Sequence, residues 1–225
     1  MKAVIFDFNG TLFADSDKHC LGWQRFLARH GKHLTEEDIR ARYLGYTTPY
    51  ILRRVFGEEL SPDLIAAYTW EKEAAYRACC LEEPTCIRMT EGATVFLDHL
   101  KARGVELAIA TGAVSANMDF YFEAFGLERW FDRARIVLDD GTFPGKPAPD
   151  CYLRAAKALG RDPADCIVFE DSLSGVRAAN AAGIGKIVAI TTEVSAERML
   201  SCPGVVIAEP DFSNMIKLFD EELSK

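Results

Sequence analysis

Short, unbroken apolar runs recur along most of this chain, separated by stretches in which apolar residues return at helical spacing. The runs are "AVIFD" (3–7), "VELAIAT" (105–111), "ARIVL" (134–138), "CIVFE" (166–170), "KIVAI" (186–190) and "VVIA" (205–208). None alternates between apolar and polar. Continuous apolar character marks parallel strands covered on both faces, whereas alternation marks a sheet with one wet face. Helices are expected between them near 91–103, 148–160 and 173–183. In the first, Val95, Phe96, Leu97 and Leu100 form the apolar stripe. The three stretches end at Gly104, Gly160 and Gly183, and a glycine just past the last helical residue is a frequent stop signal. Strands and helices in alternation predict an α/β fold with a doubly wound parallel, Rossmann-like sheet.

Residues 15–85 break the alternation, with no convincing strand. In "DKHCLGWQRFLARHG", Leu21, Trp23, Phe26 and Leu27 recur at roughly helical spacing. Thr35 with Asp38 has the form of a capping box, with Asp in place of the more usual Glu. Thr48-Pro49 and Ser61-Pro62 read as an N-cap followed by proline at the first helical position. The expected organisation is therefore a core of 1–14 and 86–225 with a helical insertion at 15–85. An insertion after the first strand lies over the carboxyl ends of the strands, where such sheets bind ligands, and reads as a lid. Its two connections, near 13–16 and 84–90, are the expected hinges.

At 225 residues, 49% hydrophobic and 27% charged, the chain can bury a sizeable core. Its net charge of −8 argues against nucleic acid or an anionic membrane as partner. A small anionic substrate remains compatible, because a pocket can be locally positive. The seven cysteines are irregularly spaced with no C-x-x-C pair, which supports neither structural zinc nor a redox motif and suits a reducing cytoplasm. No signal peptide or membrane-spanning run is apparent. A monomer is the expected state for a self-contained site.

Four polar signals fall where strands should end. Asp7 follows "AVIF", Thr111 follows "ELAIA", Lys146 lies in "GKPAPD", and Glu170-Asp171 follow "CIVF". Singly each reads as a turn, a cap or plain packing. "GTFPGKP" is not a P-loop, since only three residues separate Gly141 and Gly145 and Pro147 stands where Ser or Thr belongs. Together the four suit phosphoryl transfer. A carboxylate such as Asp7 can attack phosphorus and form an aspartyl-phosphate. Asp7, Glu170 and Asp171 bring three negative charges, and a phosphate adds up to two more. One lysine cannot offset that sum, so a divalent cation is required, and carboxylate oxygens with phosphate favour Mg²⁺. Lys146 would hold phosphate and nucleophile together, with donors from the Thr111 hydroxyl and the Gly112 N–H.

These segments resemble the four motifs of the haloacid dehalogenase superfamily, in its branch with a helical cap after the first motif. "DFNGTLF" resembles motif I, "IATGA" motif II, "GKPAPDCYLRAAKALG" motif III and "CIVFEDSLSGVRAANAAGI" motif IV. Nearly the whole chain is covered, and the nearest patterns are the β-phosphoglucomutase-like and sugar-phosphatase-like members. The resemblance implies a Rossmann-like core, Mg²⁺, a nucleophilic Asp7 and a cap that sets specificity for a small phosphorylated metabolite. It also makes position 9 conspicuous. Family phosphatases and mutases carry Asp there, whose backbone carbonyl binds Mg²⁺ and whose side chain is the general acid and base. Asn9 keeps the carbonyl, so metal binding by Asp7, Asn9, Glu170 and Asp171 should survive, but it cannot transfer a proton. General acid–base catalysis is typically worth ~10²–10⁴-fold.

Three readings follow: a slow or selective phosphatase, a sugar phosphomutase, or a phospho-ligand binding protein without turnover. The mutase is disfavoured, because its acid–base Asp is absent and its cap arginine aligns with Thr48, with Arg53 and Arg54 a turn away. A dehalogenase needs no Mg²⁺, which the Glu170-Asp171 pair argues against. A phosphonatase needs a cap lysine, and Lys18 and Lys72 read as solvated surface, as do Asp15 and Asp17. His19 aligns with a mutase cap histidine near the general acid and is either a substitute proton donor or an ordinary polar helix residue. His30, His33 and His99 read as structural or solvated. Gly45 and Thr47 are expected substrate contacts in the cap. Gly10 is expected to let the backbone turn near the phosphate.

Overall fold

The computed structural model describes residues 3–43 and 46–223. The chain divides into two compact units, Met1–Ala14 with Met89–Lys225, and Asp15–Arg88. No helix among the described residues is long and apolar enough to cross a membrane.

The first unit is built on a sheet of β1 (Ala3–Phe6), β2 (Leu107–Ala110), β3 (Ile136–Val137), β4 (Cys166–Glu170), β5 (Lys186–Ile190) and β6 (Val205–Glu209). All pairings are parallel, in the order β3-β2-β1-β4-β5-β6. The first strand in sequence therefore lies at the centre, and the order reverses beside it. Phe6 pairs with Ile109 on one side and Phe169 on the other. Asp7 and Glu170 thus emerge at the same carboxyl edge on adjacent strands. β1, β2 and β4 are buried at every position, as their unbroken apolar runs require. The run expected at 134–138 shrinks to two strand residues, because Asp132 caps a 3₁₀ turn over Arg133–Arg135. Phe6, Phe96, Phe169 and Phe212 pack around one another, with Phe6 stacked on Phe169 at 4.9 Å.

The helical unit holds α1 (Ser16–Arg29), α2 (Glu36–Arg42), α3 (Thr48–Phe56) and α4 (Pro62–Glu82). The core supplies α5 (Ala93–Ala102), α6 (Ser115–Phe125), α7 (Asp150–Ala158), α8 (Leu173–Ala181), α9 (Ala196–Leu200) and α10 (Met215–Leu218). Gly104, Gly160 and Gly183 each stand just past a helix at positive φ, which stops those helices. Val95 is 61% exposed, so α5 buries Phe96, Leu97 and Leu100 without it.

In the helical unit α1 lies against α4 so closely that a Cβ on Gly22 would meet the Tyr76 backbone at 2.9 Å. Thr35 and Asp38 form the capping box at α2. Thr47, not Thr48, holds the N-cap position of α3, and the Thr48 hydroxyl donates to Glu73 at 3.0 Å. Three residues expected in solvent are buried: Asp15, Lys18 and Lys72. Their aliphatic or short stems are covered, and each charge is partnered. Lys72 Nζ lies 2.9 Å from Glu73 and 3.0 Å from His19 Nδ1, over the rings of Trp23 and Tyr76. Asp15 accepts from the Tyr76 hydroxyl, and Lys18 donates to Glu83. His30 pairs with Glu71, and His99 in the core pairs with Asp220.

Candidate active site

The loop after β1 carries Asp7, Asn9, Gly10 and Thr11, and backbone bonds define its shape. The Gly10 N–H donates to the Phe13 carbonyl, and the Phe13 N–H to Phe8. Thr90 Oγ1 donates to the Thr11 carbonyl at 2.7 Å, and Thr192 Oγ1 to the Gly10 carbonyl at 2.8 Å. Gly10 has φ +81°, and a Cβ there would stand 2.1 Å from Asp171 Oδ2. Only a residue without a side chain allows both the turn and the approach of that carboxylate.

Asp7, Glu170 and Asp171 are buried, and one oxygen of each lies within 4.8 Å of the other two. Lys146 Nζ bridges two of them, 2.6 Å from Asp7 Oδ1 and 2.5 Å from Glu170 Oε1. Glu170 is fixed further. Its Oε1 also accepts from the Tyr152 hydroxyl at 3.0 Å, and its Oε2 from the N–H and hydroxyl of Ser172. The Ser172 hydroxyl accepts from the Gly175 N–H, capping α8. A Cβ at Gly175 would lie 1.6 Å from Glu170 Oε1, so this carboxylate occupies the space a side chain would need.

Charge dominates the electrostatics. Burial alone would lower the Lys146 ammonium, but the Asp7 and Glu170 carboxylates outweigh it and hold the group well above the ordinary lysine value. Burial, then the charges of Glu170 and Asp7, push the Asp171 carboxyl well above its ordinary range, against weaker pulls from Lys146 and the Thr11 hydroxyl. Thr11 Oγ1 donates to Asp171 Oδ1 at 3.1 Å. The cluster therefore carries more negative charge than Lys146 neutralises. Hard oxygen donors, close spacing and surplus negative charge fit a divalent cation of the Mg²⁺ or Ca²⁺ type.

Asn9 lies beside this cluster in the chain. Its Nδ2 donates to the Tyr121 hydroxyl at 2.7 Å, and its Oδ1 is 3.5 Å from Thr111 Oγ1. Thr111 is buried at the end of β2, its hydroxyl accepting from the Ala113 N–H. Gly112 follows it, exposed, with nothing among the described residues within 4 Å of where a Cβ would stand. His19 and Thr47 belong to the helical unit, and Gly45 lies outside the described residues. Three contributors to the core site were not foreseen in these roles: Tyr121, Tyr152 and Thr192. The signal for Tyr152 was its place in the helix expected at 148–160, since a buried phenol requires a hydrogen-bond partner, whereas Tyr121 lies in a helix that was not expected. Thr192 carried no such signal.

A central-strand carboxylate, a lysine bridging it to the neighbouring strand and an acidic pair at the same edge define a hydrolase core of the doubly wound α/β type. Residues 1–183 match the family model described as haloacid dehalogenase-like hydrolase, and the chain belongs to that family, as its four motifs implied. It is 27% identical over 216 residues to a phosphorylated carbohydrates phosphatase of Thermotoga maritima, covering 94% of this chain and 95% of that protein. It is 30% identical to the fructose-1-phosphate phosphatase YqaB of Escherichia coli K12, over 82% of this chain and 94% of the relative. The crystal structure of a family IA, variant 3 hydrolase of this superfamily from Entamoeba histolytica superposes with a TM-score of 0.87 at 33% identity. It covers 98% of this chain and all of the other.

Proposed function

We propose that this enzyme is a divalent-cation-dependent phosphatase acting on a small phosphorylated metabolite, with Mg²⁺ as the cation. The observation that carries the proposal is the buried trio Asp7, Glu170 and Asp171 with Lys146 bridging two of its members. The phosphatase relatives support it. When bound, the cation would offset the carboxylate charge and that of the incoming phosphate. Asp7, Asp171 and the Asn9 backbone carbonyl, with Glu170 behind them, are the proposed holders.

Asp7 acts as the nucleophile. Its oxygen bonds to phosphorus as the bond to the leaving oxygen breaks, and water then displaces Asp7 to release phosphate. Lys146 orients Asp7 and attracts the substrate's phosphate. Thr111 and Gly112 serve as donors to phosphate oxygens. Asn9 neither gives nor takes a proton, so the leaving group must depart as a stable anion. Acyl phosphates, anhydrides and aryl phosphates meet that requirement better than sugar alkoxides. His19 and Thr47 are the proposed substrate contacts of the inserted unit. A monomer in a reducing compartment such as the cytoplasm completes the reading, and the seven free cysteines support the compartment.

The test is phosphate release from acetyl phosphate and p-nitrophenyl phosphate. Release should require Mg²⁺ and vanish in Asp7→Asn, and persistence in that variant would overturn the mechanism. The second reading, a phospho-ligand binding protein, draws on Asn9 itself. It predicts Mg²⁺-dependent phosphate binding without turnover of any substrate. The mutase reading stays disfavoured, because the acid–base Asp it requires is replaced by Asn9.

A further inference from the structure

We propose that Tyr121 is a positioning residue for Asn9, a hydroxyl able to orient either a carboxamide or a carboxylate at position 9. The inference rests on the reading of Asn9 as part of the reacting site. Tyr121 is completely buried in α6. Its ring stacks on Phe8 at 4.5 Å and meets Phe13 edge-on at 6.1 Å. These two residues bracket Asn9 on the loop after β1, so ring and loop are packed as one piece. The phenol oxygen ends 2.7 Å from Asn9 Nδ2.

A carboxamide has two nearly isosteric orientations that exchange its donor and acceptor ends. The structure holds one of them, with Nδ2 on the Tyr121 side and Oδ1 on the Thr111 side. Thr111 Oγ1 already accepts from the Ala113 N–H, which leaves its proton to give, and Asn9 Oδ1 lies on that side. Tyr121 accepts on the other side. The pair therefore holds the Asn9 oxygen toward Thr111, whose single proton turns to phosphate only when it leaves that oxygen, and keeps the amide nitrogen away. A phenol is both donor and acceptor. With Asp at position 9, the same oxygen would donate to the carboxylate without moving. The pocket is thus built for an oxygen at this spot and indifferent to whether its partner bears a proton.

Tyr121→Phe retains the ring and deletes the hydroxyl, which makes it the test. Nuclear magnetic resonance of the Asn9 side-chain amide, assigned by its loss in Asn9→Asp, reads the pairing directly. In Tyr121→Phe the two Asn9 amide protons should shift and exchange faster with water. Unchanged signals would overturn the pairing. Turnover reads the consequence in four proteins: wild type, Asn9→Asp, Tyr121→Phe and the double variant, assayed on acetyl phosphate and a hexose phosphate. Asn9→Asp should raise kcat on the hexose phosphate, and Phe at position 121 should cut that gain about fivefold or more, with KM little altered. An equal gain with Tyr or Phe would overturn the positioning role. If all four proteins are inert the phosphatase reading falls. The thermal-unfolding midpoints of the same four then decide this one: replacing Tyr121 by Phe should alter stability differently with Asn and Asp at position 9, and additive shifts would overturn it.

Discussion

Asp171→Asn should make the metal-free protein more stable while removing its response to Mg²⁺. The substitution keeps shape and leaves an oxygen to accept from Thr11, but deletes one charge from a crowded trio. At 4.8 Å, two like unit charges repel by about 3.5 kcal/mol at an effective dielectric of 20. Asp171 faces two such neighbours, Glu170 and Asp7. Proton uptake limits the penalty, because protonating a carboxyl of ordinary pKa 3.8 at pH 7 costs about 4.4 kcal/mol. Lys146 recovers part of it through Asp7 and Glu170. A weakened Thr11 bond takes back about 1 kcal/mol. A net gain of about 1–3 kcal/mol follows, or roughly 2–12 °C in melting temperature for a chain of this size. Wild type should recover its deficit when cation is added, by about 2.7 kcal/mol at a hundredfold excess over Kd. Thermal melts in EDTA and in MgCl₂ measure both effects. A variant less stable than wild type in EDTA, or one retaining the full Mg²⁺ shift, would refute the claim that uncompensated charge dominates this site.

Two further outcomes follow from the packing. Gly10→Ala places a methyl 2.1 Å from Asp171 Oδ2 at φ +81° and should abolish Mg²⁺-dependent stabilisation, with at least ~1 kcal/mol lost in metal-free melts. A protein that still gains stability with Mg²⁺ would contradict the proposed geometry. Titration of the folded protein with a thiol reagent at pH 8 should show fast reaction only at Cys86 and Cys202. The other five cysteines are buried, and burial pushes the Cys80 thiol up to about 12 and those of Cys151 and Cys166 to about 11. Rapid labelling of more than two thiols would contradict it.

The strands and the glycine-terminated helices were legible because one local property determines each. A run such as "CIVFE" has to be covered on both faces, and Gly104 stops a helix by its own backbone freedom. The carboxylates stood out because they follow strand runs, and Lys146 because its loop segment, between β3 and α7, falls between them in a recurring order. The buried charges of the helical unit were not. Lys72 has the composition of a surface residue, and its burial depends on partners at positions 19 and 73 that assemble only when α1 meets α4. Tyr121 escaped notice for a similar reason. It lies in α6, a helix not expected from the sequence, and its partner lies 112 positions away. Val95 failed in the opposite sense, since an apolar residue at the edge of a stripe can remain in water without penalty.

The central place of β1 bears on how this protein is made. Thr11 and Asp171, which meet in the finished site, are 160 positions apart, so β1 leaves the ribosome well before the strand that comes to cover one of its edges. At ~5–20 residues per second, roughly 8–30 s of synthesis separate them. Throughout that interval Ala3–Phe6, an all-apolar tetrapeptide, has no β4 beside it. This makes β1 the natural handhold for a chaperone on the nascent chain.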